Sequence, residues 1–411
     1  MSEPAPVRRR RVFCIPGFDP VPARRYRELY RREAAEQARL SGYVLTMHPG
    51  ETARAGAVTW QVETMIDGAR TVSEFEVLGW CDIVRDSMRG GILSSYIALF
   101  RTVWVYLSTG AFLRLARLRK GPVLAALYPV GMLLVQLLVA VLAGRVVAEV
   151  LQHVWPASQG GVVWVLPIAL GVATAWAVLR LFRARDGRLF AHYLMQDYAF
   201  AASRHGATPP VLERRLDDFR ERIAAALNED VDEVLVVGHS SGAQLAVSTL
   251  GPLLRTARVP DAGPALSLLT LGQVIPMVSF LPGAHTLRAN LRLMAGQDRI
   301  AWVDVSAPGD GCAFALCDPV AVSGVAPETA RWPLVFSAAF TQTLGPERRR
   351  ALRWRFFRLH FQYLCAFDRP KDYDYFRVTA GPLTLGARFA GRPASRSRRT
   401  RPLSGYTSIA A

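Results

Sequence analysis

One short segment places a serine where its hydroxyl could act as a nucleophile. The sequence GHSSG at 238–242 follows the apolar run 234–237 and precedes the small residues of 243–250. In this setting G-x-S-x-G is typical of a nucleophile elbow, a strained turn from a strand into a helix that exposes the serine hydroxyl. Glycines are needed there because the strand and helix backbones come close together. Ser240 is therefore the candidate nucleophile, and a strand-turn-helix without chemistry is the alternative.

A serine hydroxyl becomes reactive when a histidine takes its proton and an acid orients that histidine. The elbow motif belongs to a chain order in which the acid follows the serine and the histidine follows the acid. His285 and His360 are the two histidines after Ser240, and His285 precedes the best candidate for the acid loop. We therefore expect His360 to be the base, although an isolated histidine among aromatic residues is often a core residue. His239 is expected to be structural, because the turn directs the side chain before the serine elsewhere.

The candidate acid lies in the segment IAWVDVSAPGDGCAF at 300–314. Its first part, 300–305, is predicted to be a short core strand that ends in a turn rich in Pro, Gly and Asp. Catalytic acids belong beyond the carboxyl end of such a strand. This argument favours Asp310 over Asp304, which lies within the strand pattern, and leaves Asp318 as a third alternative.

Acyl transfer also requires two backbone N–H groups that face the developing oxyanion. Ser241, directly after the nucleophile, would supply one of them. The second is expected from the loop PGFDP at 16–20, which follows a predicted strand over 11–15. Phe18 or Gly17 is the expected donor, and the glycine would permit unusual backbone angles. The alternative is an ordinary turn before a helix predicted over 23–40.

Further elements that could position these residues are recognisable along the chain. Strands are predicted over 43–48, 74–80 and 266–273, and a helix over 211–227. Strands that alternate with helices predict a mostly parallel α/β sheet flanked by helices. The predicted organisation is a first part of the core at 1–90, an insert at 91–185, a second part of the core at 186–385 and a tail at 386–411. The tail is basic and lacks apolar periodicity, so we expect it to be disordered. Contact with anionic lipid headgroups is the less favoured interpretation of its charge.

Two charge-free runs, 122–144 and 161–179, predict a transmembrane helical hairpin. Each is close to the length that crosses a hydrocarbon core of about 30 Å. Basic residues flank the pair at 114–120 and 180–185, whereas the predicted polar loop between the runs, which includes His153 and Trp155, carries one arginine. The positive-inside rule then places both flanks, and with them the core, on the cytoplasmic side of a bacterial-type inner membrane. Two buried helices of a soluble core are the alternative.

Apolar residues also recur at near-helical spacing upstream of the hairpin, over 91–113. This pattern predicts an amphipathic helix that lies on the membrane or packs on the hairpin. A third transmembrane span is the competing interpretation. Arg101 near the middle of the segment argues against that span, because a central arginine is costly to insert.

Composition excludes several other functions. The net charge is +17, but lysine occurs only at Lys120 and Lys371 and the arginines are mostly dispersed, so we expect no nucleic-acid partner. The five cysteines are never spaced C-x-x-C, which indicates neither a zinc site nor a disulfide framework. We expect reduced thiols, no metal and no cofactor. The N-terminal apolar stretch is too short for a signal peptide.

With these residues in view, the chain resembles the α/β-hydrolase superfamily and, within it, the lipase class 3 group. The resemblance is carried by GHSSGAQLA at 238–246, LTLGQ at 269–273, the loop of Asp310 and the element from His360 to Tyr363. It covers 11–80 loosely and 214–363 better, and it implies hydrolysis of a carboxylic ester or acyl lipid through a seryl acyl-enzyme. The chain departs from that group in having Ser241 where leucine is usual, and in carrying a membrane hairpin. A non-catalytic membrane scaffold and an acyltransferase with the same triad are the alternatives.

Overall fold

A computed structural model describes residues 5–50, 57–154, 165–260 and 262–410. The strands are β1 (Arg9–Ile15), β2 (Val44–Pro49), β3 (Val58–Ile66), β4 (Ala69–Val77), β5 (Glu233–His239), β6 (Ala265–Leu271), β7 (Ala301–Ser306) and β8 (Leu334–Ser337). They form one eight-stranded sheet in the order β2-β3-β4-β1-β5-β6-β7-β8. Strands β4, β1 and β5 to β8 are parallel, and β2, β3 and β4 pair antiparallel. The predicted mostly parallel sheet is confirmed, and it takes strands from both sides of the insert.

Helices flank this sheet and form the insert. They are α1 (Arg24–Ser41), α2 (Cys81–Ser87), α3 (Ile92–Ser108), α4 (Ala111–Leu118), α5 (Lys120–Val154), α6 (Val165–Ala184), α7 (Asp186–Leu189), α8 (Ala191–Ala202), α9 (Pro210–Ala226), α10 (Ser241–Arg255), α11 (Pro276–Ser279), α12 (His285–Ala295), α13 (Pro319–Val322), α14 (Phe340–Thr343), α15 (Pro346–Leu352), α16 (Phe356–His360), α17 (Tyr375–Ala380) and α18 (Leu385–Arg388). Short 3₁₀ segments cover Ser203–Gly206 and Phe361–Leu364.

The core lies on both faces of the sheet. Every residue of β5 is buried. Val234 and Val236 belong to the hydrophobic cluster on one face, and Leu235 and Val237 to the cluster on the other. Successive side chains of a strand point to opposite faces, so a strand covered on both sides is apolar at most of its positions. That requirement explains the continuous apolar run before the elbow.

The antiparallel edge of the sheet differs from the sequence prediction. The strand predicted over 74–80 overlaps the end of β4, which stops at Val77, and β3 was not predicted. The two strands are joined at Asp67 and Gly68, whose φ angles are 53° and 77°. Two successive residues with positive φ make the tight hairpin turn that Asp-Gly favours. Trp60 and Phe75 stack across the two strands, with ring centroids 5.0 Å apart.

Among the described residues, two helices, α5 and α6, are long and apolar enough to cross a membrane. The run predicted at 122–144 lies inside α5, but α5 continues to Val154, so the prediction of a loop from residue 145 is wrong. Arg145 and Glu149, on which that loop was based, pair at 3.0 Å one helical turn apart, an arrangement that supports a helix. Residues 161–164 of the second predicted run, and Trp155, lie outside the described residues.

Helices α5 and α6 pack antiparallel through two glycines. A Cβ on Gly144 would lie 2.5 Å from the Gly171 carbonyl oxygen, and one on Gly171 would lie 2.6 Å from the Gly144 oxygen. Small residues permit such close backbone approach between membrane helices. The two glycines mark the same level on the two helices. Because the helices run in opposite directions, a residue thirteen positions after Gly171 lies level with a residue thirteen positions before Gly144. Ala184, the last residue of α6, therefore lies level with Gly131 of α5. The first part of α5, from Lys120, therefore extends about 16 Å beyond the end of α6.

This extension brings α5 to the loop after β7. Arg119, directly before α5, donates from Nη2 to the Pro308 carbonyl oxygen at 3.2 Å. A Cβ on Gly121 would lie 3.5 Å from the Gly311 Cα. The apolar helix thus begins in contact with the loop that carries Asp310.

The amphipathic helix predicted over 91–113 is two helices, α3 and α4, separated at Gly110. One face of α3 packs on the hairpin, where the Tyr96 hydroxyl donates to the Leu133 carbonyl oxygen at 3.1 Å. The opposite face exposes apolar side chains, among them Phe100 and Trp104. Helices α2 and α3 meet at 99°. Taken together they are also long and apolar enough to cross a membrane, as a third span that is broken between the two helices.

The tail is ordered where disorder was expected. The Ser395 N–H donates to the Val335 carbonyl oxygen at 2.9 Å, so the tail follows the edge strand β8. Arg399 forms a bridge to Cys317, and the Ser408 carbonyl oxygen accepts from Arg288 Nε at 2.8 Å. Backbone hydrogen bonds hold this segment in place, and these do not depend on apolar periodicity.

Candidate active site

Ser240 lies between β5 and α10 in the conformation expected of a nucleophile elbow. Its φ is 58° and its ψ is −125°, a strained combination for a residue with a Cβ. A Cβ on Gly238 would lie 2.6 Å from the Ala243 Cα, and one on Gly242 would lie 2.1 Å from the Ile15 carbonyl oxygen. Both glycines are therefore required by close backbone approach.

Asp310 and His360 meet although fifty residues separate them in the sequence. The loop after β7 carries the acid, and the histidine ends α16. His360 Nδ1 and Asp310 Oδ2 are 2.7 Å apart, and both side chains are buried. Asp310 also accepts from the Cys312 N–H at 2.9 Å and from the Tyr363 hydroxyl at 3.0 Å. Burial alone would raise the pKa of Asp310, but the charge of His360 and these hydrogen bonds outweigh burial and lower that pKa.

Ser240 and His360 line one cavity of about 1180 Å³. Because Nδ1 of His360 is engaged by Asp310, Nε2 remains for the serine hydroxyl. Gly272, after β6, makes room for the histidine: its φ is +54°, and a Cβ there would lie 3.2 Å from His360 Cε1 and 2.6 Å from Tyr363 Cε2. The sequence singled out LTLGQ without assigning this role to its glycine.

Tyr363 holds the acid in position. Its hydroxyl accepts from the Ala307 N–H at 2.9 Å and donates to Asp310. Burial raises the pKa of Tyr363 well above its ordinary value, so the hydroxyl stays a neutral donor. The spacing of His360 and Tyr363 was noticed in the sequence, but it gave no function for the tyrosine.

The two other candidate acids have different contacts. Asp304 is fully buried in β7; its Oδ1 accepts from Thr270 Oγ1 at 2.7 Å, and its Oδ2 has no hydrogen-bond partner among the described residues. Burial raises the pKa of Asp304 to about 7. Asp318 caps α13 by accepting from the N–H groups of Val320 and Ala321, each at 3.0 Å. Asp310 is thus the candidate acid that contacts the histidine.

His239 supports the backbone of the candidate base. Its Nε2 lies 3.0 Å from the His360 carbonyl oxygen, which can only accept, so Nε2 carries the proton. Burial lowers the pKa of His239 to about 3 and keeps the ring neutral. This contact agrees with the structural role expected for His239.

The expected oxyanion donors lie together beside Ser240, in an arrangement that the sequence did not predict. A Cβ on Gly17 would lie 3.0 Å from the Ser240 Cβ, so the loop touches the nucleophile. Gly17 does not have a positive φ, and close approach rather than unusual backbone angles explains this glycine. The Phe18 N–H donates to Ser241 Oγ at 2.8 Å. A hydroxyl that accepts one hydrogen bond still has a proton to donate, so Ser241 offers its O–H as well as its backbone N–H.

Three potential metal ligands, from Asp310, Cys312 and His360, lie within 4.8 Å of one another. A metal would need the thiolate of Cys312, but burial raises the pKa of that thiol. Asp310 Oδ2 already accepts the hydrogen bond of the histidine. The chemistry of this set fits an acid–base pair better than a metal site.

Asp197 is a cavity residue that the sequence analysis missed. It lies on α8, in a segment without a recognisable motif, and it lines the same cavity as His360. Burial raises the pKa of Asp197 to about 7, although the charge of His360 acts in the opposite direction. Its proximity to the site depends on the packing of α8 against the core.

Comparison of the chain with protein-family models, curated proteins and solved structures finds no match. The geometry of Ser240, Asp310 and His360 and the surroundings of their cavity are therefore the basis for a function.

Proposed function

We propose that the protein is a membrane-anchored serine hydrolase of α/β-hydrolase type that cleaves a carboxylic ester or acyl lipid. The observation that carries the proposal is the 2.7 Å contact of His360 with Asp310, in a cavity shared with Ser240 at the strained elbow. A membrane scaffold without chemistry would have no use for these features. Strained backbone at one residue costs about 1–3 kcal/mol and persists where function requires it.

In the proposed reaction Ser240 Oγ attacks the carbonyl carbon of the ester while its proton passes to His360 Nε2. The bond between that carbon and the alkoxy oxygen then breaks, and His360 returns the proton to the leaving alcohol. Water, deprotonated by the same histidine, hydrolyses the acyl-serine and releases the acid. Asp310 holds the ring and stabilises the imidazolium without taking its proton.

The negative charge of the tetrahedral intermediate would be stabilised by donors around Ser241. Its backbone N–H stands at the first position of α10, where helical N–H groups have no partner within the helix. The Ser241 hydroxyl, which accepts from the Phe18 N–H and keeps its own proton to donate, completes the set. Such donors are effective because they are already oriented before the charge develops.

Anchoring is supported by the two apolar helices and by the charges at their ends. The basic flanks at 114–120 and 180–185 favour a cytoplasmic location for both ends of the hairpin. The catalytic core would then lie on the cytoplasmic face of a bacterial-type inner membrane. The contact between α5 and the loop of Asp310 supports a site close to the bilayer.

A fluorophosphonate probe tests the nucleophile. The full-length protein in detergent should be labelled, and Ser240→Ala should abolish labelling. Ser241→Ala is the matched control, because it removes the neighbouring hydroxyl but keeps the backbone N–H; it should retain one label per chain. Labelling that survives Ser240→Ala in a folded protein would contradict the proposal.

A further inference from the structure

Two of the arginines that line the cavity have no carboxylate partner among the described residues. The arginines that line the cavity are Arg25, Arg31, Arg32, Arg348, Arg355 and Arg358. The first four pair with Asp19, Glu28, Glu33 and Asp368. Arg355 and Arg358 have no carboxylate partner among the described residues, and both are exposed. The cavity therefore presents two free guanidinium groups close to the catalytic histidine.

Exposed aromatic residues alternate with these arginines. Trp354 is 75% exposed and Phe356 is 53% exposed. Arg353 stacks on the Trp354 ring with its Cζ 5.2 Å from the centroid. Aromatic and basic side chains together are typical of segments that lie at a membrane–water interface.

The position of this segment, 353–358, can be related to the apolar helices. Phe357 contacts Phe190, with ring centroids 4.9 Å apart. The carbonyl oxygen of the preceding Leu189 accepts from the Tyr128 hydroxyl of α5 at 2.6 Å. Tyr128 is three residues before Gly131, which is level with the end of α6, so it lies about 5 Å beyond that end. The segment 353–358 thus lies near the level at which α6 ends, where the proposed hairpin would leave a bilayer.

We propose that Arg355 and Arg358 bind the phosphate of an anionic phospholipid, whose acyl ester is the substrate of Ser240. This inference rests on the proposed hydrolase function and adds the substrate class. The planar guanidinium group matches phosphate oxygens, and two unpaired groups favour an anionic headgroup over a zwitterionic one. The rings of Phe190, Tyr193 and Phe357 line the same cavity and offer an apolar surface for an acyl chain.

The reaction leaves the phosphate unchanged. The bond that breaks joins the acyl carbon to a glycerol oxygen, and water supplies the hydroxyl of the fatty acid and the proton of the lysophospholipid. The arginines act on binding and orientation, while Ser240, His360 and Asp310 perform the chemistry.

The test uses the full-length protein in vesicles of phosphatidylglycerol or phosphatidylcholine, with fatty-acid release as the measurement. The wild type should cleave phosphatidylglycerol faster. Arg355→Gln with Arg358→Gln should lower that rate about 30-fold, since each basic residue near an anionic surface contributes roughly a factor of five. Arg214→Gln with Arg292→Gln is the matched control: both arginines are exposed and lie outside the cavity, and this variant should keep the wild-type rate.

Two soluble reagents separate the possible failures. A short-chain nitrophenyl ester and the fluorophosphonate probe should react equally with the wild type and the double variant; absence of reaction in the wild type would overturn the hydrolase function itself. Dibutyryl phosphatidylglycerol, dissolved without a bilayer, should also be cleaved more slowly by the double variant. Equal rates of the wild type and the double variant on this soluble lipid would overturn phosphate binding, and equal wild-type rates on the two kinds of vesicle would overturn the preference for an anionic headgroup; either result leaves the hydrolase intact.

Discussion

Asp304, within β7, and Asp310, in the loop after it, are both buried, yet their acidities are shifted in opposite directions. The pKa of Asp304 is raised to about 7, whereas that of Asp310 is lowered. Asp304 accepts one side-chain hydrogen bond, from Thr270. Asp310 accepts from a main-chain N–H, from Tyr363 and from His360. Burial alone therefore does not make a carboxyl group suitable as a triad acid; hydrogen-bond donors keep it ionised.

The largest difference between the two carboxyl groups should be in activity. Asp310→Asn should lower the rate of ester hydrolysis about 10³–10⁴-fold, because an amide has no negative charge to stabilise the imidazolium and its NH2 group can hold the histidine in the wrong tautomer. Asp304→Asn should change the rate by less than about threefold, since it does not contact the histidine. The measurement is kcat on a soluble nitrophenyl ester. Similar losses of kcat in the two variants would contradict the assignment of Asp310, and not Asp304, as the acid.

The second difference should be in stability. Asp304 has a pKa of about 7 when folded and near 3.8 when unfolded, so between these values the folded state binds more protons. The free energy of unfolding then decreases as pH rises, by about 2 kcal/mol from pH 5.5 to pH 8. Unfolding in detergent should show this loss in the wild type, and Asp304→Asn should lack this contribution. An identical pH dependence in the variant would mean that Asp304 is ionised throughout this range.

The smallest effect should come from one donor to Asp310. Tyr363→Phe removes a hydrogen bond to a carboxylate and should lower kcat about 10-fold, with KM nearly unchanged. The acidic limb of the pH–rate profile should also shift, because Asp310 binds its proton more readily and stabilises the histidine charge less. Unchanged kcat and an unchanged profile would show that the remaining two donors are sufficient.

The chain order of the candidate site could be predicted because its signals are local. A nucleophile elbow needs glycines on both sides of Ser240, and a parallel strand buried on both faces is apolar at most of its positions. Asp310 followed from its position after β7, and His360 from being the histidine that remained. The distance between Asp310 and His360 depends on how α16 packs against the core. Short-range sequence patterns do not encode that packing.

Other features left weaker signals or none. The turn at Asp67 and Gly68 carried a recognisable hairpin signal that was not used, whereas β8 has four residues, too few for a period to be seen. The hydrogen bond from Phe18 to Ser241 joins residues far apart in sequence, so the occupied oxyanion donor could not be foreseen. The tail is held by hydrogen bonds of its backbone, whereas amino-acid composition describes side chains. Its order could therefore not be predicted from composition.

The contact of α5 with the loop of Asp310 fixes the candidate site relative to the apolar hairpin. Because α5 is one continuous helix, its first residues meet that loop about 16 Å beyond the level where α6 ends. A bilayer of different thickness would raise or lower the whole helix, and with it the cavity mouth relative to the headgroups. The distances between Asp310, His360 and Ser240 would stay the same. For the proposed membrane-anchored lipid hydrolase, membrane thickness would in this way control how far a lipid must rise to reach Ser240, without changing the chemistry there.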